Sequence, residues 1–136
     1  MKLLRSVSPL LTLILIAGVV LVFVQSDQQE RASLIEGRVA WISDGDTIRI
    51  DGHAYPVRLW GIDAPERETR AGERSRQFLI DQIADKPITC RRRAVDQYRR
   101  TVADCEVAGK NLSKMMIAAG QAIEYCRFTR NAYGTC

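Results

Sequence analysis

Apolar positions along this chain change character from segment to segment. Pro9 to Val24 is a continuous run of 16 residues in which only Pro9, Thr12 and Gly18 are not strongly apolar, and it reaches 18 when extended back to Val7. Residues 27–33 (Asp-Gln-Gln-Glu-Arg-Ala-Ser) are polar and read as a tether. From Leu34 the pattern becomes that of short strands. Leu34 to Ile42 mixes apolar and polar positions and ends at a Ser43-Asp44-Gly45 turn, and Ile48-Arg49-Ile50 alternates as a half-buried strand does. Asp51-Gly52 signals a two-residue hairpin, with Tyr55 to Trp60 returning as a third strand. Helical spacing then links Ala71, Ser75, Phe78, Leu79 and Ile83. Ile88 to Cys90 and Thr101 to Val107 read as two further strands around a charged connection over 91–100. Asn111 caps a second helix with the stripe Leu112, Met115, Met116 and Ala119, and Gly120 ends it.

Five strands, with one helix after the third and another after the fifth, predict a small closed β-barrel with helices of the OB type, an α+β fold; an open α+β sheet fits the same string. The length allows one such domain, 34–136, behind the leader. With Lys2 and Arg5 as its positive start, segment 1–26 has the layout of a signal peptide or of an N-terminal transmembrane anchor. The positive flank keeps that end in the cytosol and sends the remainder across the membrane, so an extracytoplasmic domain is expected, tethered or released.

Lys2 and Arg5 set aside, 18 basic residues face 16 acidic ones, a net of +2 that argues for no particular partner. Locally, Arg91-Arg92-Arg93 and Arg99-Arg100 place five positive charges within ten residues, an ordinary solvated loop if taken alone. All four cysteines, Cys90, Cys105, Cys126 and Cys136, lie in the exported part, and an even number in an oxidising compartment favours two disulfides. Of three connectivities, Cys90–Cys105 with Cys126–Cys136 is favoured, because the first pair flanks a predicted hairpin. Closing that loop is worth about 3 kcal/mol in the chain-entropy model. A zinc site is disfavoured: there is no Cys-x-x-Cys, and the single histidine, His53, falls on the predicted hairpin tip. Trp41 and Trp60 read as barrel packing.

Three clusters carry chemistry. Asp44-Gly45-Asp46-Thr47 suits either a turn or, joined by Asp63 from a second segment, a hard-cation site. Two carboxylates, a backbone carbonyl and waters suit Ca²⁺ better than Mg²⁺. In Arg58-Leu-Trp-Gly-Ile-Asp63-Ala-Pro65-Glu66, Arg58 points away from the face of Val57 and Leu59, and Pro65 restrains the backbone from which Glu66 emerges. Glu66 is either a general base for a water or the partner of Arg58 in a surface ion pair. In Asp96-Gln-Tyr98-Arg-Arg100, Tyr98 and Arg100 share one face of an extended segment, as a stacking ring beside a phosphate grip or as a surface pair. A cation, a base for water and two guanidinium groups are what phosphodiester hydrolysis requires.

Taken in order, Asp-Gly-Asp-Thr, Arg-Leu-x-Gly-Ile-Asp-Ala-Pro-Glu, Asp-x-Tyr-x-Arg, Gly-Lys-Asn-Leu and a Gly-x-Ala segment resemble the thermonuclease, or staphylococcal nuclease-like, family from about Leu34 to Tyr125. The resemblance implies an OB-fold, Ca²⁺-dependent endonuclease that acts on DNA and RNA, breaks the bond to the 5′ oxygen and leaves 3′-phosphate ends. It implies Asp46 and Asp63 as carboxylate ligands of calcium, Ala64 as a main-chain ligand, Arg58 and Arg100 on the phosphate and Glu66 as the base. Tyr98 and Tyr125 are implied at the substrate. Arg99 stands where the family pattern has glycine, and spacing assigns the phosphate to Arg100. The chain also stops at Cys136, before a C-terminal helix that many members carry, and a Cys126–Cys136 bridge is expected to serve in place of its packing. The rival expectation is an OB module of the cell envelope that binds nucleic acid without cleaving it.

Overall fold

A computed structural model describes residues 8–136, so Lys2, Arg5 and the start of the leader lie outside the described residues. Two units result, a helical one ending at Ser33 and a compact one over Leu34–Cys136. Helix α1 (Pro9–Ser33) includes the polar 27–33 segment read as a tether. Its stretch Pro9–Gln29 is 21 residues, long and apolar enough to cross a bilayer.

The compact unit follows the strand alternation closely. Strands β1 (Leu34–Gly37) and β2 (Val39–Ile42) are two halves of one bent segment, broken only at Arg38. They are followed by β3 (Thr47–Ile50), β4 (Val57–Leu59), β5 (Ile62–Asp63), α2 (Arg70–Ile83), β6 (Ile88–Val95), β7 (Thr101–Val107), β8 (Lys110–Asn111), α3 (Leu112–Ala118), β9 (Ile123–Glu124) and α4 (Cys126–Thr129). The main sheet runs β1-β6-β7-β4-β3-β2, with β8 on β7. Because β1 continues into β2, this order returns on itself: the first half of segment 34–42 pairs with β6 and the second with β3. The pairing is antiparallel except between β4 and β7, which are parallel. This is the curled, closing sheet of an OB-type barrel. At the bend a side chain on Gly37 would lie 2.8 Å from the Ile50 methyl, so the corner needs a residue without one.

Ile48, Val57, Leu59, Leu79, Ile88, Leu112 and Met116 fill the interior and are fully buried. Cys90–Cys105 lies within this core and joins opposed residues of β6 and β7, and Cys126–Cys136 closes the C-terminal loop. Helix α2 begins where Thr69 accepts a hydrogen bond from the Gly72 amide at 2.9 Å, and α3 where Asn111 accepts from the Lys114 amide at 3.0 Å.

Four local expectations are corrected. Residues 91–95 belong to β6 and not to a loop: their side chains are exposed, so apolar alternation vanishes while main-chain pairing with β7 continues past a bulge. The Asp51-Gly52 turn opens a six-residue connection, 51–56, which shortens the third strand to Val57–Leu59. Trp41 is 46% exposed beneath the Arg67 guanidinium and does not pack in the barrel. His53 is half-buried, its Nε2 3.2 Å from Thr101 Oγ1, and not an exposed tip.

Candidate active site

Three connections reach one mouth of the barrel. The turn 43–46 between β2 and β3 carries Asp44 and Asp46. The segment from β4 to α2 carries Arg58, Asp63, Ala64 and Glu66. The turn 96–100 between β6 and β7 carries Tyr98 and Arg100. All of these side chains, with Tyr125, line a single cleft of about 980 Å³.

Close packing sets the positions. A side chain on Gly45 would lie 1.8 Å from Ser75 Oγ, and one on Gly72 would lie 2.0 Å from the Glu66 carbonyl oxygen. The aspartate turn therefore sits directly on α2, and α2 sits directly on the main chain that presents Glu66. Thr69 strengthens the second contact by donating to that same carbonyl at 2.7 Å. Among the described residues no hydrogen bond or ion pair engages the Glu66 carboxylate, which is exposed at the cleft.

Arg58 projects from β4 between two carboxylates. Its Nη1 is 2.6 Å from Asp46, and its Nη2 is 3.3 Å from Asp63 and donates to the Ile62 carbonyl at 3.1 Å. The anticipated alternative of an Arg58–Glu66 pair is thus replaced. The strand register explains this: Arg58 lies opposite Thr47, next in sequence to Asp46. Asp46 is nearly buried and is held further by the Ala64 amide at 3.2 Å and the Thr47 hydroxyl at 2.9 Å. Burial, then the charge of Asp46, pushes the Asp44 carboxyl above its ordinary range, while Asp44 accepts from the Asp46 amide at 3.1 Å.

Arg100 and Arg99 diverge. Arg100 Nε meets Asp96 at 2.7 Å, its Nη1 donates to Thr47 at 3.4 Å, and its guanidinium lies 5.4 Å from the Tyr98 ring centre. Arg99 leaves the cleft for Tyr55, donating to its hydroxyl at 3.1 Å, from a left-handed backbone with φ of 63°. The glycine of the family pattern suits that conformation better. Asp96 organises the turn. Burial favours its neutral form, but hydrogen bonds from the Arg100 and Tyr98 amides and the Arg100 guanidinium outweigh burial and hold the carboxyl below its ordinary value.

Sequence reasoning assigned no role to Asp96, Thr47 or Glu124. Thr47 sits between Asp46 and Arg100, and Asp96 orients Arg100. Glu124, buried on β9, accepts from the Tyr133 and Thr135 amides, each at 2.9 Å, and from the Thr135 hydroxyl at 2.8 Å. Strand β9 pairs with β5, and Asp63 lies opposite Ile123, so this clasp braces the strand that carries Asp63. Burial opposes ionisation of Glu124, but hydrogen bonds from Thr129, Tyr133 and Thr135 prevail and hold its carboxyl at about 2. A carboxyl lowered from 4.5 contributes its stabilisation in full above pH 4.5, and that contribution fades as pH falls through about 2. Protection of the Tyr133 and Thr135 amides, measured against their intrinsic exchange rates at each pH, is therefore expected to fall across this window. The Glu124→Gln variant should show low protection at neutral pH with no such acid step.

The family model described as staphylococcal nuclease homologue matches residues 56–135. An uncharacterized endonuclease of Haemophilus influenzae is 33% identical over 97 residues, covering 69% of this chain and 54% of that protein. A micrococcal nuclease of Shigella flexneri is 34% identical over 100 residues, covering 65% and 58%. A probable staphylococcal-like nuclease of Oryza sativa subsp. japonica is 33% identical over 76 residues, 56% of this chain and 15% of that one. The chain thus spans little more than half the length of the two bacterial proteins. With a matched segment that holds Arg58, Asp63, Glu66 and Arg100 and wraps them around one cleft, the chain belongs to the staphylococcal nuclease homologue family.

Proposed function

We propose that the compact unit is a calcium-dependent endonuclease that hydrolyses phosphodiester bonds of DNA and RNA outside the cytoplasm and leaves 3′-phosphate ends. The observation that carries this reading is the convergence of Asp46, Arg58, Asp63, Glu66 and Arg100 on one cleft.

The donor set fits a hard cation. Arg58 already bridges Asp46 and Asp63 with positive charge, and every candidate donor is an oxygen. Among the described residues no three His, Cys, Asp or Glu side chains gather as a metal cluster; in this reading the Asp46 and Asp63 carboxylates and the Ala64 carbonyl would hold Ca²⁺ with water completing the shell. When bound, the ion supplies electrostatic stabilisation to the charge that develops on the phosphate. Arg58 and Arg100 grip the non-bridging oxygens in planar, two-pronged fashion. Glu66, uncommitted at the cleft, takes the proton of the attacking water as it adds to phosphorus, and the 5′ oxygen leaves with the electron pair of the broken bond and takes a proton from solvent. Tyr98, 70% exposed, and Tyr125, 40% exposed, offer rings to the bases.

Helix α1 is compatible with membrane anchoring or export, and two disulfides suit an oxidising compartment. N-terminal sequencing of the mature protein distinguishes a cleaved leader over 1–26 from an anchor followed by the 27–33 tether and the nuclease domain 34–136.

The deciding experiment incubates the protein with heat-denatured DNA and with RNA in Ca²⁺, and again in chelator. Degradation that the chelator abolishes, with 3′-phosphate ends, is the expected result. Binding without degradation would leave an OB-type nucleic-acid-binding module, and degradation that persists in chelator would remove calcium from the reading.

A further inference from the structure

The arginine run 91–93 is not accounted for by the cleft alone. On the outer face of β6 and β7 a second groove, about 610 Å³, is lined by Trp60, Arg91, Arg93, Asp104, Lys114 and Tyr133. Trp60 and Arg93 also line the candidate cleft, so the two depressions share a wall. The floor at that junction is firmly held. The Trp60 carbonyl accepts from the Ser113 hydroxyl at 2.9 Å and the Tyr133 hydroxyl at 3.0 Å, and the Tyr133 ring meets the Trp60 ring edge-on at 5.6 Å. The Arg93 guanidinium lies 3.9 Å from the centre of the Trp60 ring and is paired with Asp104. Arg91 is directly opposite Asp104 in the β6–β7 register, and the exposed Lys114 on α3 faces the same groove.

We propose that this groove is a second strand-binding subsite, taking the nucleotides of a single-stranded substrate that continue past Trp60 out of the cleft. The proposal rests on the nuclease reading and deepens it. Among the described residues, Arg91, Arg93 and Lys114 line the groove against Asp104 and Glu106, with Arg93 and Asp104 paired to each other. That balance attracts a phosphate chain modestly, without the strong field that would hold any polyanion. The Arg93 guanidinium over the Trp60 ring is a platform on which an unpaired base can stack without sequence preference. Continuity selects the occupant: a polymer long enough to overrun the cleft on the Arg93 side meets this groove next. Short substrates end before it.

The test uses the full chain in detergent, in a Glu66→Gln background that prevents cleavage, with and without Arg91→Ala and Lys114→Ala together. Neither residue belongs to the catalytic set. Binding of a fluorescent single-stranded trinucleotide and of a 12-nucleotide strand is followed by anisotropy at several salt concentrations. Expected is a loss of about tenfold in affinity for the long strand with the trinucleotide unchanged. The salt slope for the long strand should fall by about 1.4, two phosphate contacts at about 0.7 each on a single strand. The charge-retaining pair Arg91→Lys and Lys114→Arg should bind the long strand within about twofold of the parent. Equal losses for both lengths, or none for either, would overturn the subsite. Length-dependent binding by a protein whose wild-type form cleaves nothing would sustain the groove and overturn the nuclease reading, so the two failures are distinguishable.

Discussion

Replacing Glu66 by glutamine is expected to lower kcat on single-stranded DNA by about 10²–10⁴-fold, the usual contribution of a positioned general base. Glutamine keeps the size and polarity of the side chain and removes only its capacity to take a proton. The Glu66 carboxylate is exposed and has no partner among the described residues, so the fold should not register the change. Its main-chain carbonyl, held by Thr69 and crowded by α2, stays where it is. The check is paired: turnover at saturating substrate, and the urea midpoint in Ca²⁺. A variant with parental turnover ends the assignment of Glu66 as the base. A variant that loses turnover and stability together shows that the residue was holding structure.

Replacing Arg58 by methionine is expected to act on two properties at once. In chelator it should destabilise the protein by about 3 kcal/mol, because Asp46, with a side chain only 7% exposed, loses the guanidinium 2.6 Å away and is left without its ion-pair partner in a nearly closed site. In millimolar Ca²⁺ the deficit should shrink, since an ion bound to the native state restores positive charge beside Asp46 and stabilises by mass action. Catalysis should not recover with it, because a planar grip on the phosphate is gone. Urea unfolding of parent and variant, each with and without Ca²⁺, measures the first effect, and kcat/KM the second. An identical stability loss in both conditions would deny Asp46 a place in the cation site.

These two residues also mark how far the sequence could be read. Arg58 was legible as an outward-facing residue because Val57 and Leu59 flank it on a strand, and both are fully buried. Five strand segments suited an OB-type barrel or an open α+β sheet, with the family resemblance pointing to the barrel, and both helices followed from their stripes and the Asn111 cap. What Arg58 touches was not legible, since its nearness to Asp46 depends on the β3–β4 register, and register is a through-space property. The charged continuation of β6 was missed for a related reason. Arg91, Arg92 and Arg93 expose their side chains, and the strand runs on through main-chain pairing with β7, and at Arg91 also with β1, past a bulge at Arg93. Glu124 carried a faint signal as a lone acid in the apolar stretch Ala122-Ile-Glu-Tyr125. Recognising it as the anchor of the C-terminal loop required the two-residue pairing of β5 with β9, too short to have a periodicity. Asp96 and Thr47 were visible within their motifs, but their work is to orient Arg100 and Asp46, and that shows only once the three connections meet.

Segment 34–42 is the keystone of the ring, since it alone bonds to strands on both sides of the seam. If α1 anchors the chain in a bilayer, a protease freeing the compact unit has a narrow stretch of chain to use. A cut ahead of Leu34 sheds the apolar helix and leaves every rung of the ladder in place, whereas one a few residues further on, past Gly37, severs β1 from the segment that joins it to β2 and opens the seam at β6. Soluble product still able to degrade nucleic acid should accordingly begin no later than Leu34.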